Sequence, residues 1–494
     1  MFSFGIIFSI ALLIGIGALS GKKSKKSGNI YSGKNSAGAW LVCGTVMGTL
    51  VGGQTTIGTA QLAFSYGVSA WWFALGSTIG CILLALRYTK PLRATGCNTL
   101  MEIVGKEYGH KVELVGSLLN LLSIFISILS QFLAAAALIT SFFPVNFLQG
   151  TLIAAVLMGC YVLMGGAIGA GAGGLVKLIL LYISCLTAGI CVWGEAHGFS
   201  GLIQTIQSLL GGTPLGEINN ASTQETILHN YLHPFARGMA KDLGSALSLA
   251  LGVLSTQTYA HGILMGKDLQ SARKGALRCA LLIPPIGAAS ILIGLYMRGN
   301  YVTQAELEQL QQIGATLPDG IGVIQSAAQA FPMFVINVLP NWFGGIVIGT
   351  LLVTVIGSGS GLTLGAAAIF SRDVASNIAN KIHRATRFTQ STKFSRISII
   401  LFLVAGMVVS TTLSGGFIND LGFLSLGLRA ATLLIPLSCA LWHKGQYSAK
   451  AALTSMLCGT AMMLVAKFAC LSLDPMFWGL AAGFLAMKFG ARKT

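Results

Sequence analysis

The feature that most constrains this chain is a series of apolar runs of about twenty residues each, which recur from Phe2 to Phe489. A bilayer core roughly 30 Å thick asks for about 20 apolar residues per helix, and backbone in lipid has to satisfy its own hydrogen bonds, so runs of this length specify membrane-crossing helices. Only 9% of the 494 residues are charged and 54% are hydrophobic, which leaves no polar stretch large enough for a second, soluble domain. We place spans at 2–20, 38–64, 68–88, 113–142, 148–168, 172–194, 238–264, 277–297, 340–370, 396–413, 419–442, 449–470 and 475–490.

Charge then orients the spans. The first run has no preceding Lys or Arg and is followed by Lys22, Lys23, Lys25 and Lys26, the pattern of an uncleaved helix whose N-terminus lies outside. Alternating the sides from there puts most of the 31 Lys and Arg in the segments 22–34, 87–112, 266–278, 371–396 and 442–450 and at the C-terminus, all on the cytoplasmic side. The net charge of +17 is thereby a topology signal, and nucleic acid is not an expected partner. The expected location is the cell (inner) membrane, with the C-terminus cytoplasmic. The ten cysteines have no paired spacing and read as small packing residues. The two long outer loops, 195–240 and 298–335, contain amphipathic pieces at Leu202–Leu210 and Glu306–Ile313.

Two spans are built to break. Positions 44–58 read GTVMGTLVGGQTTIG, five glycines and four threonines at bilayer depth, and span 7 carries Gly252 and the polar run 255–258. Unwound backbone inside a membrane exposes carbonyls that bind ions and polar solutes, and it is tolerated where it lines a protein cavity. Small residues also allow close helix packing, which is the competing reading of each segment. Span 9 contains TVIGSGSG at 354–361, a further set of carbonyls and hydroxyls of the kind a hard cation takes as ligands.

Several short motifs occur in order along the chain: YSGKN at 31–35, YGVSAWW at 66–72, TLMEIVGKEYG at 99–109, MGG at 164–166, KDLQSAR at 267–273, AIFSRDV at 368–374 and GLRA at 427–430. In these the chain resembles the sodium:solute symporter family. The resemblance implies an all-α polytopic membrane protein with the inverted five-plus-five repeat of LeuT-type transporters. One helix would precede the repeats and two would follow, thirteen in all, within a single transporter domain over 1–494. The first repeat would be 37–195 and the second, inverted, 238–442. The activity implied is sodium-coupled symport of a small solute by alternating access, with no enzymatic step and no cofactor beyond Na+ as coupling ion.

Carried over from the family, the sodium site falls on the carbonyls of Thr49 and Gly52, the carbonyl of Thr354 and hydroxyls at 357 and 358. Here Ser358 keeps its hydroxyl and Gly357 has none. Span 6 departs as well: the family's acidic position is Gly174 and its nearby polar position is Lys177. A lysine a turn or two from the cytoplasmic end is expected to snorkel to the interface. The alternative puts its ammonium where sodium would sit, giving a sodium-independent or proton-coupled transporter of the same fold. The candidate solute contacts are Gln54, Thr55, Thr56, Ser127, Gln131 and Gln257, each of which also suits an interhelical hydrogen bond. Arg429 is expected to be structural, with contact to an anion as the other reading. Intramembrane carboxylates are nearly absent, so the solute is expected to be neutral or anionic. A solute-sensing membrane receptor is the alternative from another class; it needs a signalling domain, and only four residues follow the last span.

Overall fold

A computed structural model of the chain describes Gly5 and residues 37–375, 391–413, 415–471 and 473–490, with the side chains at 164–173, 372, 373 and 392 excepted. Apart from Gly5, the first predicted span lies outside the described residues. Eight of the described helices are long and apolar enough to cross a membrane, and three shorter apolar helices accompany them. This is a multi-pass membrane protein. Exposed apolar side chains such as Leu148, Val156, Ile183, Ile190, Leu401 and Val465 form the outward faces, as a lipid-facing surface requires.

Helix α1 (Ala39–Leu50) stops where Val51 turns extended, at φ −90° and ψ 98°. The chain resumes through a wide turn, in which Gly58 N–H donates to Gly53 O, and enters α2 (Thr59–Tyr66). The predicted break therefore falls on Val51, Gly52 and Gly53, where two consecutive glycines each cost a helix about 1 kcal/mol. Gly67 ends α2 at φ +55°, and a Cβ there would lie 2.0 Å from Tyr231 O. Next come α3 (Trp71–Leu83), α4 (Leu100–Tyr108) and α5 (His110–Phe142).

Predicted spans 5 and 6 belong to one helical stretch, α6 (Phe147–Glu195, 49 residues). Ser360 Oγ donates to Met158 O at 3.0 Å while Lys177 Nζ donates to Ser358 Oγ at 2.7 Å. A straight helix would separate positions 158 and 177 by roughly 28 Å, more than those two contacts allow, so α6 does not run straight between them.

On the side expected to face outward lie α7 (Phe199–Leu210) and α8 (Gln224–Leu232). Leu202, Ile203, Ile206, Leu209 and Leu210 form the buried face of α7, as the amphipathic pattern predicts. The second break separates α9 (Met239–Leu254) from α10 (Gln257–Met265): Ser255 leaves the helix and Thr256 is extended at φ −99°, ψ 120°. Then follow α11 (Leu269–Asn300), β1 (Tyr301–Thr303), α12 (Gln304–Gln312) and β2 (Gly322–Ile324). The strands pair in parallel, Val302 opposite Val323, so the all-α expectation is corrected by one small pair where the segment after α11 folds back. Further helices are α13 (Asn341–Ile369), α14 (Thr392–Thr411), α15 (Ile418–Arg429), α16 (Ile435–Trp442), α17 (Ala449–Phe468) and α18 (Pro475–Phe489), besides short ones such as Ala330–Asn337.

Charged residues clamp the helix ends on the side expected to face outward. Arg237 pairs with Asp242 at 2.7 Å and reaches Asp420 at 3.6 Å, with Arg237 and Asp242 both buried. Ser69 Oγ also donates to Asp242, at 2.9 Å. Arg298 Nη1 donates to Glu306 at 2.8 Å and its Nε to the Tyr231 hydroxyl at 2.9 Å, which fastens the end of α11 to α12 and α8.

Glycines let α1 and α6 approach closely. A Cβ on Gly174 would sit 2.3 Å from Gly44 O, and one on Gly44 would meet Leu175 at 3.1 Å. Gly174→Ala is expected to force the two helices apart and lower the melting midpoint in detergent by several degrees. An unchanged midpoint would show that the contact yields without cost.

Candidate functional site

The first break, α13 and α6 converge on one cradle of oxygens. Ser358 Oγ lies 3.2 Å from Gly48 O and 3.3 Å from Val51 O. The last turn of α1 leaves these carbonyls without a helical successor to accept from, the usual state of a helix C-terminus. Lys177 Nζ enters the same cradle and donates to Gly48 O at 2.8 Å and to Ser358 Oγ at 2.7 Å. Lys177 is 5% exposed, so the expected snorkelling is corrected: the ammonium lies inside the bundle. The close α1–α6 contact at Gly44 and Gly174 aims the lysine stem at Gly48 instead of the interface. A Cβ on Gly357 would find only Lys177 Cδ, at 3.9 Å, so the absent hydroxyl leaves room beside the lysine.

Gly48 and Val51 present their carbonyls to Ser358, whereas Gly52 O accepts from Thr56 Oγ1 at 3.1 Å and Thr49 Oγ1 donates to Val46 O at 3.2 Å. Thr354 is fully buried and its hydroxyl has no hydrogen-bond partner among the described residues.

Beyond the cradle a polar track crosses the bundle. Gln131 Oε1 accepts from Gly53 N–H at 3.0 Å, satisfying a donor freed by the break. Gln54 Nε2 donates to Ser130 Oγ at 2.6 Å. Ser127 and Ser425 hydroxyls meet at 2.7 Å, and Arg429 Nη2 donates to both at 2.9 Å. Arg429 Nη1 donates to Thr256 Oγ1 at 3.2 Å, on the second break. The structure thus brings Gln54, Ser127 and Gln131 together around the first break. Thr55 and Thr56 spend their hydroxyls on Leu50 O and Gly52 O, within the break itself.

Gln257 does not join them. Its Oε1 accepts from Leu100 N–H at 2.7 Å, and its amide reaches Asn98 O at 3.4 Å, so it caps the start of α4. Sequence reasoning missed Ser130 and Ser425, and it put a structural role first for Arg429, with contact to an anion as the other reading. For Ser425 the signal was available: it lies one helical turn before Arg429, on the same face.

Comparison with known proteins gives the arrangement its context. Residues 30–459 match the sodium:solute symporter family. The uncharacterized symporter YwcA of Bacillus subtilis is 23% identical over 96% of this chain and 86% of its own length. The sodium/pantothenate symporter of Escherichia coli is 21% identical, covering 94% and 89%. The human high affinity choline transporter 1 is also 21% identical, covering 89% and 72%. Among solved structures, a Na+-coupled sialic acid symporter in a substrate-bound outward-open state superposes with a TM-score of 0.72 at 15% identity, over 100% of this chain and 99% of that one. That likeness establishes a LeuT-like fold. The chain belongs to the sodium:solute symporter family, and it is a secondary active transporter.

Proposed function

We propose that this chain carries a small neutral or anionic solute through the cell membrane by alternating access, translocating it without bond chemistry. The N-terminus lies outside and the C-terminus in the cytoplasm, and residues 37–195 and 238–442 act as inverted halves. The observation that carries the reading is the pair of broken helices, at Val51–Gly53 and at Ser255–Thr256, joined by the track from Gln131 to Arg429. Family membership supports sodium as the coupling ion, held by the carbonyls of the first break and by Ser358. A cation bridging α1 and α13 favours the conformation in which both are near, and so raises affinity for the solute.

One observation favours a second reading of the same locus. The Lys177 ammonium already bridges Gly48 O and Ser358 Oγ. Sodium and an ammonium about 3 Å apart repel by roughly 5 kcal/mol at an effective dielectric near 20, so they exclude one another from the cradle. In this reading Lys177 supplies the positive charge, and transport runs without sodium or is coupled to its proton.

Uptake into proteoliposomes separates the two. Sodium is replaced by N-methyl-D-glucamine; choline is avoided because choline transporters are among the relatives. Accumulation that survives replacement supports the lysine reading and overturns sodium coupling. A drop of more than about tenfold, equivalent to 1.4 kcal/mol, does the reverse.

A further inference from the structure

Three arginines are buried within the described part of this protein, and they are not alike. Arg237 has Asp242, and Arg298 has Glu306, each within 2.8 Å. Arg429 is 1% exposed and has no described carboxylate within ion-pair distance. Its described partners are the neutral hydroxyls of Thr256, Ser127 and Ser425, with the Tyr259 hydroxyl alongside, and its Nε has no hydrogen-bond partner among the described residues. A buried cation held only by hydroxyls carries a large desolvation cost that a counter-ion removes.

Its position makes this more than a packing defect. Arg429 stands at the end of α15, where the helix widens at Ala430–Leu434, and it touches the second break through Thr256. The track from Ser127 through Ser130 and Gln131 leads from Arg429 to the first break, where the Lys177 ammonium also lacks a described carboxylate. Two basic side chains therefore flank the interrupted helices with no described carboxylate paired to either. A cationic solute would add a third positive charge to that space, and a neutral solute would leave the guanidinium uncompensated. A carboxylate fits, because a guanidinium offers paired N–H donors in a plane that a carboxylate accepts two at a time.

We propose that the transported solute is a small carboxylate and that Arg429 is the group that binds it. The proposal rests on the transporter reading and narrows it to one charge class. Ser127, Ser425 and Thr256 hold the guanidinium in place of the solute until it arrives, and the buried Nε is a donor left for it.

The test uses the purified full chain in detergent. Melting is followed with acetate, propionate, pyruvate and succinate, each against its amide, and with choline. At least one acid is expected to raise the midpoint by several degrees while its amide does not, since a ligand that binds the folded state stabilises it by mass action. Arg429→Lys should keep the preference for acid over amide with affinity about tenfold weaker. Arg429→Gln should weaken the acid about a hundredfold, as loss of a buried charge partner does. Arg429→Lys, which keeps the charge, and Ser425→Ala, which keeps the guanidinium, guard against a misfolded Gln variant.

Stabilisation by an amide or by choline in place of every acid overturns the proposal, as does a panel in which no acid stabilises. An acid effect of equal size in wild type and Arg429→Gln also overturns it. Solute exchange in proteoliposomes keeps the two readings apart. Exchange of a neutral solute that is indifferent to Arg429→Gln sinks the carboxylate and leaves the transporter. An acid that binds through Arg429 but is never exchanged sinks the transporter and leaves the binding site.

Discussion

The double variant Lys177→Ala, Gly357→Ser is expected to be sodium-dependent, with uptake at least tenfold higher in sodium than in N-methyl-D-glucamine. Removing the ammonium frees Gly48 O and Ser358 Oγ, with Val51 O 3.3 Å from that hydroxyl. The serine restores the hydroxyl that position 357 lacks, and among the described residues packed against α13 there, the one atom within 4 Å of its Cβ, at 3.9 Å, belongs to the lysine being removed. A hard monovalent cation takes such carbonyl and hydroxyl oxygens without needing a formal charge. Lys177→Ala alone keeps three of the oxygens and no cation, so its uptake in sodium-free medium should fall at least tenfold, with partial recovery in sodium. The ratio of uptake in the two media, measured for wild type, single and double variants, decides the matter. If the ratio is the same in all three, the ammonium has no part in coupling.

Arg237→Ala is expected to cost about 3–5 kcal/mol of stability, because it leaves the fully buried Asp242 carboxylate with Ser69 as its remaining side-chain donor. It also unties Asp420 at the start of α15 and removes a guanidinium from the face of Phe423, 5.3 Å from the ring centroid. Asp242→Asn added to Arg237→Ala should recover much of the loss, since the uncompensated charge is then gone. Thermal unfolding in detergent with all four members of the cycle reads the coupling directly. A loss below 1 kcal/mol for Arg237→Ala would mean that water reaches the carboxylate.

Much of this fold is written in the chain at the level of solvent preference. Length, apolar runs and charged loops specify a bundle of membrane helices, and the glycines at 52 and 53 and the hydroxyls at 255 and 256 mark both interruptions, because each weakens a helix locally. The site was legible only as far as its chemistry resides in side chains. Which carbonyls face Ser358 depends on helix phase, and carbonyls have no sequence signature, so the contacts of Gly48 O and Val51 O with that hydroxyl were not legible. Lys177 was misplaced for a related reason. Its depth is set by how closely two helices pack at Gly44 and Gly174, a tertiary distance that no local pattern contains. Gln257 went astray because its partners, Asn98 and Leu100, lie in a segment remote in sequence whose loop geometry has to form first.

The lysine in the cradle differs from a sodium ion in one respect that reaches the energetics of the whole cycle. A dissolved ion has a concentration on each side of the membrane, and the difference is work that can drive a solute uphill. An ammonium on a side chain is present at a fixed effective concentration set by its tether, whatever the salt outside. It returns with the protein at the end of every turnover, so by itself it transfers no free energy. A transporter that keeps Lys177 in that place throughout its cycle equilibrates its solute or exchanges it. To concentrate the solute, it has to release something from the locus on one side and take it up on the other, and the one part of Lys177 that leaves is its proton.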